Sequence, residues 1–448
     1  MNNALSDSTS LPPSLAAGRD KLSPLDRLLS LFTRVNPGEA VGALLMASNV
    51  FVLLATYYLL KTVREALILT QGGAEVKSYS SAGQALLLLA VVPAYGLLAT
   101  RLKRVRLITY VTIFFALNLA IFAALGLVGV RIGVAFFLWV GIFNVLIVAQ
   151  FWAFANDSYD EGAGKRLFPV IGVGSSLGAI FGAQLAKGMF GRFGPYWVMA
   201  IAAASLLLSL LLTWLANRRT RSHNPRQRVA ESEPLAREGG FKLVLRHRYL
   251  LLIALLVLLL NVVNATGEYI LSKSVVQEAG RLGLAGAGKE QFIGGFYSDF
   301  FWWVNVISFG FQLLLVSRLF KWIGVRGTLF VLPLVALFSY GALLLIPLLP
   351  IIRLAKILEN STDYSIQNTT QQALFLPTSR EAKYKAKAAI DTFFWRAGDV
   401  TQAGLVLLGT TLGFSLKAFS LTNLLLVLVW LGIAALLYRE HRRLAAER

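Results

Sequence analysis

The chain has 448 residues, of which 56% are hydrophobic and 15% charged, and its mean hydropathy is +0.64. Because a soluble globular protein carries about a quarter charged residues, this composition predicts a membrane protein with many spans. The chain has no cysteine, which excludes disulfides, and its three histidines lie in polar segments, so neither a metal site nor a cofactor is expected. The net charge of +20 is typical either of nucleic-acid binding or of basic loops beside anionic lipid.

The N-terminal segment, residues 1–38, contains Ser, Pro and mixed charges and lacks the apolar core of a signal peptide. Within it, "PLDRLLSLFTRV" (24–35) has an amphipathic pattern. This pattern predicts a helix that lies on the cytoplasmic membrane surface.

Twelve segments are long and apolar enough to cross a bilayer, which requires roughly 20 residues each. They are 40–69, 79–100, 107–129, 132–155, 168–190, 194–216, 249–272, 291–317, 327–346, 351–376, 388–413 and 418–438. The predicted fold class is therefore an all-α polytopic membrane protein with two six-helix bundles. The predicted domains are an N-terminal segment, a first bundle, a basic linker, a second bundle and a cytoplasmic tail, at residues 1–38, 39–216, 217–248, 249–438 and 439–448.

The distribution of Lys and Arg predicts the orientation of the chain. Thirty of the 43 lie in the termini, the central linker and the other even-numbered connections, whereas eight, including Lys77, lie in the opposite loops. This asymmetry predicts that both termini and the linker are cytoplasmic. The basic charge is thus explained by topology and lipid, and no nucleic-acid partner is expected.

A small set of charges remains at membrane depth. Each would cost about 2.5 kcal/mol or more if it faced lipid, so most of them are expected to line a watery or ion-paired interior. Twelve spans around a charged interior predict a transporter. The cations are Lys61, Arg64, Lys273, Lys356 and Arg396, and the acids are Glu65, Glu268, Asp299, Glu359, Asp363, Asp391 and Asp399.

The first span, "ATYYLLKTVREALILT" (55–70), carries Lys61, Arg64 and Glu65 at three- and four-residue spacing, so they share one helix face. If the span ended at these residues, their side chains could extend to the outer membrane interface. The apolar residues continue beyond them, which argues against this alternative. Two cations with one compensating acid suit an anionic ligand.

The exit of the fourth span crowds acids and bases at its predicted cytoplasmic mouth, within "FWAFANDSYDEGAGKRLFP" (151–169). The following helix repeats glycine every four residues at Gly174, Gly178 and Gly182, which favours close helix packing over a dinucleotide-binding loop because no strand precedes it. The candidate gating residues here are Asn156, Asp157, Glu161 and Lys165.

The second half repeats this arrangement. Its first span contains Glu268, its fourth carries Lys356 on a polar stripe, and the next connection leads through Lys387 and Asp391 to Arg396. Paired charged spans in two halves are typical of carriers that bind substrate at the midplane.

These same motifs resemble the ATP/ADP translocases of plastids and intracellular bacteria, a nucleotide-transporter family with a major-facilitator-like fold. The matching stretches are "LKTVRE" (60–65), "FWAFAN" (151–156), "KRLFP" (165–169) and "KYKAKAAID" (383–391). The resemblance implies that the transport-critical charges correspond to Arg64, Glu161, Glu268 and Lys387.

Three departures from that family pattern are present. Thr62 replaces an acid, Gln371 and Gln372 replace a Lys-Glu pair, and Asp399 stands where a lysine is usual. Since two of these changes remove or reverse a cation, a polyanionic nucleotide is expected to be held less strongly.

The sequence thus predicts a carrier in the cytoplasmic membrane that moves a nucleotide or a related phosphorylated anion by alternating access and exchange. Lys61, Arg64, Glu268, Lys356 and Arg396 are the candidate substrate-binding residues. Glu65, Asp299, Asp391 and Lys387 are candidate coupling or gating residues, together with the four at the fourth-span exit. Proton-coupled transport of another solute, with Glu65, Glu268 or Asp299 titrating, is the alternative.

A non-transporting scaffold or lipid-handling protein is a further alternative, in which the basic linker 217–248 would dock a soluble partner. An enzyme is least expected, because no nucleophile–base pair or metal-ligand set occurs at membrane depth.

Overall fold

The structure is a computed structural model that describes residues 23–31, 33–159, 161–221, 240–379 and 382–446. Most of the predicted linker and the first 22 residues lie outside these ranges. All regular elements in the described ranges are helices.

The described part of the N-terminal half contains six helices. They are α1 (Pro24–Leu29), α2 (Glu39–Gln71), α3 (Gly73–Arg101), α4 (Arg104–Leu127), α5 (Gly133–Ser158) and α6 (Glu161–Arg221). Of the predicted amphipathic helix at 24–35, only the first half is helical, as α1, whose first turn is capped by Ser23 and Asp26, whereas residues 33–35 are not helical. The Asp26 carboxylate also accepts hydrogen bonds from the backbone N–H groups of Gly38 and Ala40, which fixes α1 against the start of α2.

The C-terminal half has ten further α-helical segments, several of them short. They are α7 (Gly240–Arg246), α8 (Arg248–Arg281), α9 (Gly286–Leu314), α10 (Val316–Thr328), α11 (Val331–Leu345), α12 (Leu349–Thr362), α13 (Asn368–Leu374), α14 (Lys387–Ala389), α15 (Trp395–Thr411) and α16 (Leu416–Ala446). Three π-helical segments, Asp363–Gln367, Ala382–Ala386 and Ile390–Phe394, connect or precede α13, α14 and α15.

Every predicted span coincides with a helix or with a broken helix. Seven described helices are long and apolar enough to cross a membrane, and the pair α9 and α10, bent by 73°, gives an eighth. The fifth and sixth predicted spans both lie within α6, which breaks at Gly194, where φ is 72°. The fold class is therefore confirmed as all-helical and multi-spanning, whereas the count of twelve stays a prediction.

The glycine repeat of α6 packs against the backbone of α2. A Cβ atom added at Gly174, Gly178 or Gly182 would lie 2.4 Å from a backbone carbonyl oxygen of α2 in each case. Only glycine permits this approach, so the repeat serves packing, as its spacing predicts. The carbonyl oxygens belong to Ala47, Phe51 and Ala55.

A buried polar contact holds the same two helices together further along. The Asn49 side chain donates to Thr213 Oγ1 at 2.7 Å and accepts from Ser209 Oγ at 2.9 Å. Because a polar group surrounded by lipid or apolar side chains has no water to bind, such mutual satisfaction fixes the register of α2 on α6.

Gly178→Ala is expected to destabilise the protein, because the added methyl group collides with the Phe51 carbonyl oxygen. Overpacking of this kind costs about 1–3 kcal/mol, so the melting temperature of the detergent-purified protein should fall by several degrees. Gly172→Ala is the matched control, since nothing lies within 4 Å of its Cβ position on the same helix. Equal melting temperatures for the two variants would contradict this packing account.

Candidate functional site

A polar cavity of about 230 Å³ lies between the two halves. Its wall is formed by α2, α3 and α5 of the first half and by α8, α9, α12 and α15 of the second. The π-helical segment Asp363–Gln367 also contributes. Its charged lining residues are Lys61, Arg64, Glu65, Lys77, Glu268, Arg396 and Asp399.

Glu65 is the most buried of these charges, with 1% of its surface exposed. Its two carboxylate oxygens pair with Arg64 Nη2 at 2.5 Å and with Lys77 Nζ at 2.7 Å. Two cations on one carboxylate keep this buried acid compensated. Lys77 also donates to Ser272 Oγ of α8 at 2.9 Å, so the cluster joins the two halves.

Lys61 has different surroundings, because no carboxylate of the described residues forms an ion pair with it. Its ammonium lies 4.2 Å from the centre of the Phe301 ring, 5.2 Å from that of Tyr58 and 5.8 Å from that of Tyr364. Aromatic faces attract a cation without neutralising it. Lys61 is therefore a nearly buried ammonium group that has aromatic neighbours and, within the described residues, no carboxylate partner.

Glu268 faces the cavity from α8, with a quarter of its side chain exposed. It accepts a hydrogen bond from Asn360 Nδ2 at 2.9 Å and lies 3.9 Å from the ammonium groups of both Lys77 and Lys356. It thus stands between a cation of the first half and a cation of the second.

Arg396 and Asp399 form the fourth charged group, on α15. Arg396 Nη1 lies 3.2 Å from Asp399 Oδ2, and Asn261 of α8 donates to Asp399 Oδ1 at 2.9 Å. Asp399 thereby neutralises much of the charge that Arg396 would offer to an anion.

Lys356 lies behind the cavity wall, although the sequence predicts it as a substrate-binding residue. Its side chain is 1% exposed and donates to Asn264 Oδ1 at 2.7 Å, and it pairs with Glu359 at 3.2 Å. Tyr340 donates to the same Glu359 carboxylate at 3.0 Å. This arrangement allows Lys356 to position Asn264 and Glu268, which do line the cavity.

Further polar contacts join the two halves, and one of them involves the cavity-lining residue Tyr269. Lys273 on α8 and Glu75 on α3 pair at 3.0 Å, and Tyr269 donates to the same carboxylate at 2.9 Å. Beside them, Asp299 on α9 pairs with Lys187 of α6 at 2.9 Å and with Arg353 of α12. We call this set of contacts the inter-half seam; Ser298 extends it by donating to the carbonyl oxygen of Ala183 at 2.6 Å.

Apart from Asp299 in the seam and Glu65 in the cavity, the candidate coupling or gating residues lie away from this seam. Asp157 pairs with Arg104 at 2.9 Å near the end of α5, where Asn156 is exposed. Lys387 pairs with Asp391 at 2.5 Å within the second half. The side chains of Glu161 and Lys165 lie outside the described residues.

Lys77 corrects the sequence-based assignment of charges. Its position between two predicted spans places it in an outer loop, whereas α3 already begins at Gly73 and carries Lys77 into the cavity. Sequence reasoning missed it because the polar run "GGAEVKSYSS" (72–81) is part of a helix. The close sequence position of Glu65 and Lys77, on either side of a short turn, was the available signal.

The described residues contain no group of three or more His, Asp or Glu side chains that could hold a metal ion. The lining residues supply cations, carboxylates, amides and aromatic rings, which are groups that can bind a charged ligand.

Two family models match the chain. The model described as Major Facilitator Superfamily matches residues 45–358. The chain belongs to this superfamily. Inside the superfamily, the model described as TLC ATP/ADP transporter matches residues 298–441. The resemblance to ATP/ADP translocases is thus confirmed over this C-terminal part of the chain.

Known relatives agree with this assignment. ADP,ATP carrier protein 1 of Chlamydia trachomatis is 26% identical over 344 residues, which span 65% of this chain and 62% of the relative. The chloroplastic ADP,ATP carrier protein 1 of Arabidopsis thaliana is 26% identical over 68% of this chain and 53% of its own length. The matched region is thus less than two thirds of each relative.

Solved structures support the superfamily fold. A bacterial homologue of the iron transporter ferroportin has a TM-score of 0.65 to this chain, at 12% identity, and the match covers 89% of this chain and 98% of that one. At this identity the likeness concerns the fold alone.

Glu65→Gln is expected to be strongly destabilising, because it leaves Arg64 and Lys77 without their shared buried partner. Breaking a buried ion pair in this way costs about 3–5 kcal/mol, which should appear as a large fall in melting temperature. Glu278→Gln removes an ion pair at the end of α8, where the partner Arg281 is 71% exposed, and serves as the control. A Glu65→Gln protein that melts like this control would refute the structural role of the cluster.

Proposed function

We propose that the protein is a secondary transporter that moves a nucleotide or a related phosphorylated anion across the membrane by alternating access, in exchange for a second such anion. The observation that carries this proposal is the cavity between the halves, where Lys61, Arg64 and Arg396 converge on one space. Phosphate oxygens are natural ligands of such cations. The names of the relatives, ADP,ATP carrier proteins, support a nucleotide as the substrate.

The residues have separate roles in this proposal. Lys61, Arg64 and Arg396 neutralise the phosphate. Glu65 and Glu268 compensate the cations when the cavity is empty, and ligand oxygens take over part of that role on binding. Exchange follows because the charged residues that line the empty cavity sum to a net charge of +1, which a bound anion cancels, so the carrier reorients readily only when it is loaded.

Alternating access requires that one end of the cavity opens while the other closes. The distribution of Lys and Arg supports an orientation with both termini in the cytoplasm of a cytoplasmic-membrane protein. In that orientation the inter-half seam is the outer gate, so this conformation faces inward. On the inner side, a second gate forms when the seam opens. It consists of the pairs Lys387–Asp391 and Glu161–Lys165, with Asn156 and Asp157 nearby.

Proton-coupled transport is the second candidate, and one observation favours it. Asp363 is 8% exposed, and its side chain receives no hydrogen bond from the described residues. It lies one turn from Glu359, so two buried carboxylates accompany one buried cation, Lys356, along α12 and the π-helical segment that follows it. A proton shared among these groups would relieve the excess negative charge.

Arg64→Ala is expected to reduce nucleotide exchange by about tenfold or more, because a charge-assisted contact to phosphate worth over 1.4 kcal/mol is lost. The measurement is uptake of labelled nucleotide into proteoliposomes loaded with unlabelled nucleotide. Arg218→Ala is the control, since Arg218 stacks on Trp214 away from the cavity.

Two results of this assay would count against the proposal. Unchanged uptake in Arg64→Ala would exclude the charged-cavity mechanism. Uptake that needs a pH gradient and no internal nucleotide would replace exchange by proton coupling.

Asp299→Asn is expected to loosen the seam and to favour the outward-open state. The Lys187–Asp299 pair is partly exposed, so a shift of about 1 kcal/mol, or roughly a fivefold change in population, is reasonable. Because the chain has no cysteine, a single Ser81→Cys in the cavity wall reports access. Its labelling by an impermeant maleimide from the outer side should accelerate in Asp299→Asn and stay unchanged in Glu278→Gln. No acceleration would show that the seam is not a gate.

A further inference from the structure

We propose that the cavity selects a ligand with one phosphate group and a planar ring, the class of the nucleoside monophosphates, over nucleoside diphosphates and triphosphates. This inference rests on the proposed function of nucleotide transport and names the substrate class within it. Two independent features support it: the charge balance of the cavity, and the aromatic surroundings of Lys61, the lining cation for which the described residues supply no carboxylate partner.

The charge balance leaves little excess positive charge. Among the described residues, four cations and three carboxylates line the cavity, which gives a net charge of +1. The Lys356–Glu359 pair behind the wall does not change this balance. An ionised Asp363 would lower it to zero. A cavity built for a polyphosphate would need more uncompensated cations.

The pairing of these groups locates the excess charge. Arg64 and Lys77 share Glu65, and Arg396 is paired with Asp399. Lys61 is the lining cation without a carboxylate partner among the described residues. A first phosphate can therefore bind Lys61 without displacing an acid. A second or third phosphate must displace Glu65 or Asp399 and would leave that carboxylate close to another anion.

Transport adds a stricter condition than binding. A phosphate monoester carries about −1.5 to −2 charges at pH 7, so the loaded cavity is within about one charge of neutral. Each further phosphate adds negative charge that the carrier must move through a medium of low dielectric constant. The loaded carrier is thus expected to reorient most readily when its ligand has a single phosphate group.

The rings around Lys61 define the other part of the ligand. Tyr57, Phe301 and Tyr364 line the cavity near its ammonium, and Phe137 and Tyr269 line it elsewhere. Aromatic side chains stack with nucleobases in a sequence-tolerant manner. A phosphate held by Lys61 consequently has aromatic surfaces within reach for an attached base, which a sugar phosphate would leave unused.

The test is competition against uptake of labelled adenosine monophosphate in proteoliposomes, without divalent cations so that each ligand keeps its charge. Adenosine, its mono-, di- and triphosphates and ribose 5-phosphate are the competitors. The monophosphate should compete best, with the triphosphate and ribose 5-phosphate each weaker by about tenfold or more. A triphosphate that competes as well as the monophosphate would overturn the inference.

Two variants separate the charge from the ring. Asp399→Asn raises the net charge by one and frees Arg396, so the preference for the monophosphate over the triphosphate should fall about tenfold. Lys61→Met should remove the advantage of the monophosphate over adenosine. Melting temperatures verify that each variant is folded, and if neither is, the order of competitors on the unmodified protein decides.

The outcomes distinguish this inference from the function on which it rests. If nucleotides are taken up but the monophosphate is not preferred over the triphosphate, the monophosphate inference alone is refuted. If none of the nucleotides is taken up or competes, the proposed nucleotide transport is itself refuted.

Discussion

The carboxylate of Glu65 is the constraint on which the arrangement of the cavity depends. An acid with 1% exposure between helices must be compensated, and it is compensated by cations from two helices, Arg64 beside it on α2 and Lys77 on α3. Lys77 in turn reaches Ser272 and approaches Glu268 on α8. One buried charge thereby sets the geometry of α2, α3 and α8 where the two halves meet.

The contacts within the first half differ in kind from the contacts between the two halves. Within the first half, α2 and α6 approach through glycine and a buried Asn–Ser–Thr contact, which leaves no room for sliding. Between the halves, the seam consists largely of partly exposed ion pairs and hydrogen bonds. Such pairs contribute little each and re-form with other partners at low cost. A rigid bundle beside a weak polar joint is the mechanical requirement of a rocking carrier.

The sequence predicts the helices well and the partners of the charges less well. Hydrophobic length alone locates the apolar segments, because lipid forces backbone hydrogen bonds to be satisfied within each helix. The i,i+4 spacing suggests Glu65 as the partner of Lys61, but Glu65 pairs with Arg64 and with Lys77 of another helix. Local spacing cannot reveal such tertiary competition.

Lys356 and Lys77 show two opposite errors of the sequence-based prediction: Lys356 is expected in the cavity, and Lys77 is expected outside it. Lys356 lies at the depth expected of a ligand residue, yet it is turned into the second half and bound by Glu359. Lys77 belongs by hydropathy to a loop, yet its helix starts early enough to bring it inside. The depth of a residue in the membrane can be predicted from the hydropathy of the sequence. The direction of its side chain depends on how the helices are rotated relative to one another.

The π-helical turns give the second half a freedom that the described part of the first half lacks. Asp363–Gln367 lies between α12 and α13, and Ile390–Phe394 lies between α14 and α15. A π turn holds one surplus residue, and migration of that surplus along a helix rotates the intervening side chains by about 100° without tilting the axis. Asp363 or Asp391 can thus exchange one environment for another by a local screw motion, independently of any rigid-body rocking. Tyr364, which lines the cavity, lies in the first of these π turns, so such a rotation would change the cavity wall from the side of the second half.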